Sequence, residues 1–178
     1  MDLIKLFLLG ASGASGYFLL GMYDLAQVHH MRMLRHIFSV GFLVTILPYC
    51  ILLAHHRPPF ALPLRLLLSA LTAAAALATL YIAAVEIPLH HKEEGVVYRR
   101  GSYARVRHPG FHAHLIFNVL FSLTLFDGRV ALLSALFVCC NLILITVEDR
   151  ILFPKLFPDY VCYTETTGFL LPKRRGHR

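Results

Sequence analysis

"TLFDGRVALLSALFVCCNLILITVEDR", residues 124–150, decides how the chain folds. Val130–Val147 contains no Asp, Glu, Lys or Arg. A helix rises about 1.5 Å per residue and a bilayer's hydrocarbon core is about 30 Å thick, so such a run is near spanning length. "FDGR", residues 126–129, holds an Asp-Gly pair, a common turn dipeptide. Before it lies a second uncharged run, Pro109–Phe126. Two apolar runs joined by almost no loop predict an antiparallel helical hairpin.

Outward from the hairpin the pattern repeats. Leu6–Tyr23, Ile37–Ala54 and Leu66–Val85 also lack charged residues. The chain is 57% hydrophobic and 15% charged, with a mean hydropathy of +0.64. A soluble core of this length does not need so much apolar residue. Helices satisfy their own backbone groups in lipid and strands do not. The sequence therefore predicts an all-α, polytopic membrane protein of about five transmembrane helices and one domain. The first run resumes in "YFLLGMY" after "GASGASG", which reads as a spanning helix rather than a cleaved signal peptide. The small residues of "GASGASG" predict close helix packing. Pro48 and Pro88 are candidate kinks or helix ends.

Basic residues divide unevenly. The loops Asp24–His36 and Glu86–His108 and the tail from Glu148 together carry thirteen Lys and Arg, against four on the other side. Positive charge marks the cytoplasmic side, so the C-terminus is expected inside. The formal net charge of +7 is thereby assigned to topology and anionic lipid rather than nucleic acid. Cys50, Cys139, Cys140 and Cys162 form no CxxC and no disulfide framework. The histidine pairs, and His112 with His114, do not share helix faces, so no metal site is expected. There is no GxGxxG, P-loop or GxSxG.

"YARVRHPGF", residues 103–111, is denser in function-bearing residues than a topogenic loop needs. His108 opens the fourth helix with Pro109 in its first turn, where proline is well tolerated. Free N–H groups there, with Arg105 and Arg107, offer a cradle for a carboxylate or phosphate; a plain basic flank has the same look. Glu148 and Asp149 end the fifth helix, against its macrodipole, and call for an ammonium, a metal or a nearby Arg; a solvated pair partnered by Arg150 or Lys155 is the plainer reading. The hairpin brings both ends to one membrane face. The tail that follows, with Tyr160, Tyr163 and Phe169, either lies on the bilayer surface or folds back as a pocket wall.

These parts together resemble the isoprenylcysteine carboxyl methyltransferases and the related phospholipid methyltransferases. That family's pattern is Gly-Pro-Tyr, Arg-His-Pro-x-Tyr, a helical hairpin, Glu-Glu, then Tyr-x-x-Tyr and an aliphatic-Pro. Here it runs "GSYARVRHPGF" (101–111), the hairpin, then "VEDRILFPKLFPDYVCYTETTGFLLP" (147–172). Residues 97–172 carry the resemblance, and residues 1–90 are expected to be scaffold. Ser102, Phe111, Asp149 and Pro158 depart from the family's Pro, Tyr, Glu and Gly.

The resemblance implies an enzyme that transfers a methyl group from S-adenosylmethionine to a lipophilic small molecule or lipid-modified acceptor. The cofactor is expected between the hairpin ends and the folded-back tail, held by Tyr103, Arg107, His108, Pro109, Glu148, Tyr160 and Tyr163. Glu148 would take its ammonium and His108 or Arg107 its carboxylate. Glu148, Asp149 and Arg105 form the expected catalytic set. The implied location is the plasma membrane of a bacterium or the endoplasmic reticulum of a eukaryote. A nicotinamide-dependent membrane reductase, which needs more cations for its phosphates, and a non-catalytic accessory protein are the alternatives.

Overall fold

The computed structural model describes residues 2–29, 36–87 and 95–173. The possible helix end at Pro88, the histidines His30, His90 and His91, and the basic residues Arg32, Arg35, Lys92, Arg174, Arg175 and Arg178 lie outside that range. Five apolar helices build the protein: α1 (Leu3–Val28), α2 (Ile37–His55), α3 (Leu62–Leu80), α4 (Pro109–Leu125) and α5 (Gly128–Val147). A short α6 (Tyr160–Thr166) lies in the tail. Four helical spans are long and apolar enough to cross a membrane, and α4 is a shorter fifth. The chain is an all-α polytopic membrane protein. Among the described residues there is no strand, only the single bridge between Val106 and Gly168.

The helices run where the apolar runs predict, with longer ends. α1 continues to Val28, so Asp24 sits on a helix and not in a loop. α2 passes through Pro48 without ending. Large apolar side chains on α3 (Leu64, Leu66, Leu67, Leu71, Leu77) face outward, where lipid covers them. The inward core joins Leu9 and Tyr17 of α1, Tyr49 and Leu52 of α2, Phe121 and Leu125 of α4, and Val130, Leu133 and Phe137 of α5. Tyr49 meets the rings of Phe117, Phe121 and Phe137 at 4.9, 5.2 and 5.4 Å, each edge-on.

"GASGASG" does what small residues do between helices. A Cβ at Gly16 would stand 2.6 Å from Thr45 Cγ2 and 2.9 Å from the Gly41 carbonyl oxygen of α2. A Cβ at Gly13 would enter the Phe137 ring of α5. Close approach to two neighbours thus depends on missing side chains.

The hairpin forms about a tight turn at Phe126 and Asp127, within "FDGR". Gly128 is already the first residue of α5. The left-handed residue is Phe126, φ +47°, an unusual conformation for a bulky side chain. Its N–H donates to the Ser122 carbonyl at 2.9 Å, and its ring packs edge-on against Phe60 at 5.5 Å. Asp127 caps α5 by accepting from the Arg129 N–H at 2.7 Å. Its carboxylate also meets His56 Nε2 at 3.3 Å, which puts the end of α2 beside this turn. Asp24, Glu148 and His108 mark the opposite end of the bundle.

At that opposite end two helices widen into π turns, Tyr81–Val85 after α3 and Glu148–Leu152 after α5. Pro154 accounts for the second: it has no N–H for the Arg150 carbonyl, and its ring crowds that carbonyl. In the first, the Ile82 carbonyl accepts from the Tyr103 hydroxyl at 3.3 Å. A final turn, Phe153–Leu156, prolongs α5. The tail then folds back over the bundle. Tyr160 and Tyr163 are buried with Val97, and Arg107 N–H donates to the Gly168 carbonyl at 2.9 Å.

Candidate functional site

A cavity of about 520 Å³ opens among the helices at the tail end of the bundle, within the size range of small-molecule sites. Its body is apolar and aromatic: Leu20, Phe42, Ala76, Leu80, Phe117 and Leu144 are among its walls. Its tail-side end is polar and holds Asp24, Gln27, Tyr103, Arg107, His108, Glu148, Tyr160 and Tyr163. Helices α1, α2 and α3 line it as α4 and α5 do, so the residues expected to be scaffold supply walls and a carboxylate. Asp24 approaches Glu148 there.

Neighbouring carboxylates on a helix diverge by about 100°, and the two at the end of α5 part company. Glu148 lines the cavity; Asp149 does not. Asp149 instead anchors the tail. Arg107 grips it with Nε–Oδ1 at 2.7 Å and Nη2–Oδ2 at 2.9 Å. The Tyr160 hydroxyl donates to Oδ1 at 2.6 Å, and His108 Nε2 lies 3.3 Å from the same oxygen. Only 10% of either side chain of the Arg107–Asp149 pair is exposed. The plainer expectation, a solvated carboxylate partnered by Arg150 or Lys155, is therefore overturned for Asp149. Arg107 Nη1 also donates to the Thr167 carbonyl at 2.7 Å and the Thr164 carbonyl at 3.4 Å. Four of its five N–H groups are engaged, which leaves little of it for a ligand's carboxylate. Burial works against the Arg107 charge, and the bond to Asp149 more than offsets it, so its pKa is raised.

His108 is buried at the N-cap of α4, stacked on Phe153 and edge-on to Phe169. Burial lowers its pKa, helped by the Arg107 charge and opposed by Asp149. The neutral ring donates Nε2–H to Asp149, so Nδ1 is left as an acceptor. It stands 3.7 Å from Glu148 Oε2. The space between the two groups, at the edge of a cavity, suits a donor or cation.

The tyrosines are wall and frame rather than bases. The Tyr163 hydroxyl donates to the Tyr103 carbonyl at 2.6 Å. Burial raises the pKa of Tyr103, Tyr160 and Tyr163, the last to about 12, so all three stay phenols. Pro109 is buried at the first position of α4 and is not a cavity wall. Arg105 is exposed and also lies away from the cavity. Of the expected catalytic set, only Glu148 faces the space where a ligand fits.

Three further residues hold the site together. Glu86, 4% exposed, accepts from the Ser102 N–H at 2.8 Å and the Ser102 hydroxyl at 2.6 Å. A proline at 102 would have neither donor. Gly101, φ +57°, leaves no room for a Cβ beside the Glu86 carboxylate. Asp159 accepts from the Val97 N–H at 3.1 Å and from Arg99 Nη2 at 2.6 Å. Asp24 and Glu86 were legible only as acids straight after apolar runs; Asp159 carried no local signal. Among the described residues no cluster of His, Cys, Asp and Glu is placed to hold a metal ion, and the described cysteines are free. Compared with protein-family models, curated proteins and solved structures, the chain gives no match.

Proposed function

We propose that the protein transfers a methyl group from S-adenosylmethionine to a lipophilic or lipid-modified acceptor. The cavity's tail-side end is the reaction site, at the face that the basic residues mark as cytoplasmic. One observation carries the reading: Glu148 Oε2 and the His108 Nδ1 acceptor face each other across 3.7 Å at the polar end of a largely apolar cavity. That end suits an ammonium, with Asp24 adding a second carboxylate. Tyr103, Phe153, Phe157 and Tyr160 in the same wall suit a sulfonium or an adenine face.

The cofactor supplies an electrophilic methyl when bound. The chain's own part is to hold and align. Glu148 takes the ammonium, and the aromatic wall excludes water. The apolar body receives the acceptor's tail from between the helices, where apolar surface needs no hydration. Alignment brings reacting atoms to about 3–3.5 Å. Asp149 is committed to Arg107, so any proton taken from an amine or thiol acceptor goes to Glu148 or His108.

The reductase reading finds less support. Among the described residues Arg107 is the one Lys or Arg in the cavity walls, and it is already paired, whereas a nicotinamide cofactor brings several phosphate charges.

Calorimetric titration of S-adenosylhomocysteine into detergent-solubilised protein tests the proposal. A charge-assisted hydrogen bond contributes roughly 1.5–3 kcal/mol, so Glu148→Gln should weaken binding about tenfold or more. Equal affinity in wild type and variant removes Glu148 from the site. Binding of NADPH in place of S-adenosylhomocysteine moves the protein to the reductase reading, and binding of neither leaves an accessory protein.

A further inference from the structure

We infer that the cavity contains a second polar subsite, formed by His114 and Asn141, which takes a hydrogen-bond-accepting oxygen in the apolar body of its ligand. His114 lies six residues into α4 from His108, and Asn141 seven residues before Glu148 on α5. At about 1.5 Å per residue both sit roughly 9–11 Å deeper than the polar end. Both line the same cavity.

The hydrogen-bond network fixes which nitrogen of His114 carries its proton. Asn118 Nδ2 lies 2.9 Å from the His114 carbonyl, which only accepts, so that atom is a donor. The same Nδ2 lies 3.1 Å from His114 Nε2, and the Tyr17 hydroxyl lies 2.7 Å from it. Nε2 is therefore an acceptor, and the hydrogen is on Nδ1. The Asn118 Oδ1 is spent in turn, accepting from Tyr49 at 2.9 Å. His114 is 7% exposed, and its Nδ1 is the buried side-chain atom left without a partner among the described residues. Such an orphan donor is rare in native proteins and calls for an explanation.

Asn141 is half-buried on the cavity side of α5. Its amide makes no hydrogen bond among the described residues. A polar side chain at membrane depth that faces a cavity marks a ligand path more often than a packing contact. Two unspent polar groups at one depth, in walls whose Tyr17, Thr45, Tyr49 and Thr79 hydroxyls are already hydrogen-bonded, match a carbonyl, ether or hydroxyl oxygen. A pure hydrocarbon tail leaves both unsatisfied. The ligand class is thus an oxygen-bearing lipophile. Its role as methyl acceptor rests on the proposed function; the subsite itself does not.

The test uses tridecan-7-one and tridecane, matched in length and differing in one carbonyl. Each is added to the full chain in maltoside micelles, and apparent binding is read from the thermal midpoint. The ketone should bind wild type about tenfold more tightly than the alkane. Asn141→Leu should lose part of that preference and His114→Phe most of it. In ¹⁵N-histidine spectra the His114 Nδ1–H signal should move with ketone and not with alkane. If His114→Phe fails to fold, Asn141→Leu and the wild-type probe pair still decide. Equal binding of ketone and alkane to wild type, or a His114 protonated at Nε2, overturns the inference. S-adenosylhomocysteine binding, measured on the same samples, stands apart: its absence beside an intact ketone preference sinks the methyl-transfer reading alone.

Discussion

Two polar clusters hold this bundle together, and they are built from different chemistry. The one at the tail end is charged: Arg107, Asp149, His108 and Tyr160 converge on one carboxylate, with Glu86–Ser102 and Asp159–Arg99 beside it. The one near mid-helix is neutral: Tyr17, His114, Asn118, Tyr49 and the Thr72–Thr124 hydroxyl pair at 2.8 Å. Charges at the bundle's edge find partners, backbone carbonyls and access to water. Deeper in the bilayer an ion is costly, and uncharged hydrogen bonds replace it. The charged cluster spends nearly all its donors on the fold, with Glu148 the group it leaves to the cavity. The neutral one leaves His114 Nδ1.

The sharpest way to break this contrast is Asp149→Ala. Removing one partner of a buried ion pair costs about 3–5 kcal/mol, because Arg107 stays buried and unpaired. The thermal midpoint in detergent should fall clearly, and the tail should become a target for limited proteolysis. Glu148→Gln should leave both nearly unchanged. Equal destabilisation by the two variants would erase the division between clamp and cavity carboxylate.

Ser102→Pro removes both donors to Glu86. A buried acceptor left unsatisfied costs about 1–3 kcal/mol, read again as a lower midpoint. A midpoint at or above wild type would mean that the Glu86 contact does not hold the loop.

The neutral cluster should respond less. Tyr49→Phe deletes the bond to Asn118 and keeps the ring packing. Interhelical hydrogen bonds in membranes average about 0.6 kcal/mol and reach about 1.7. A loss beyond that range in equilibrium unfolding would put the deeper network on a par with the charged one.

The smallest effect is titration of His108. Burial lowers its pKa below the ordinary value of about 6.5. Between that value and the lower folded one, the unfolded chain binds more protons, so stability falls as pH falls. His108→Asn should flatten this part of the profile relative to wild type. Parallel profiles would mean that His108 titrates as it does in water.

Uncharged runs determined the number and position of the helices, since a chain that buries so much apolar surface in lipid must form helices to satisfy its own backbone. Two short patterns, "YARVRHPGF" and the acids after Val147, marked which end of the bundle holds the site. Periodicity along one helix did not separate Glu148 from Asp149. That separation depends on where Arg107 and Tyr160 arrive from 42 and 11 residues away. Nor did it reveal Asp24, Glu86 or Asp159, because each owes its role to a partner from another element. The hairpin turn was legible in "FDGR", but that its left-handed residue is Phe126 was not, because Phe126 packs on Phe60 and Asp127 caps α5. His114 shows the limit most clearly. In the sequence it was set aside with His112 as a pair that shares no helix face, and only the crossing of α1, α2 and α4 fixes its tautomer. Local sequence sets what each segment is; which polar groups are spent and which remain is set by the packing of segments far apart in the chain.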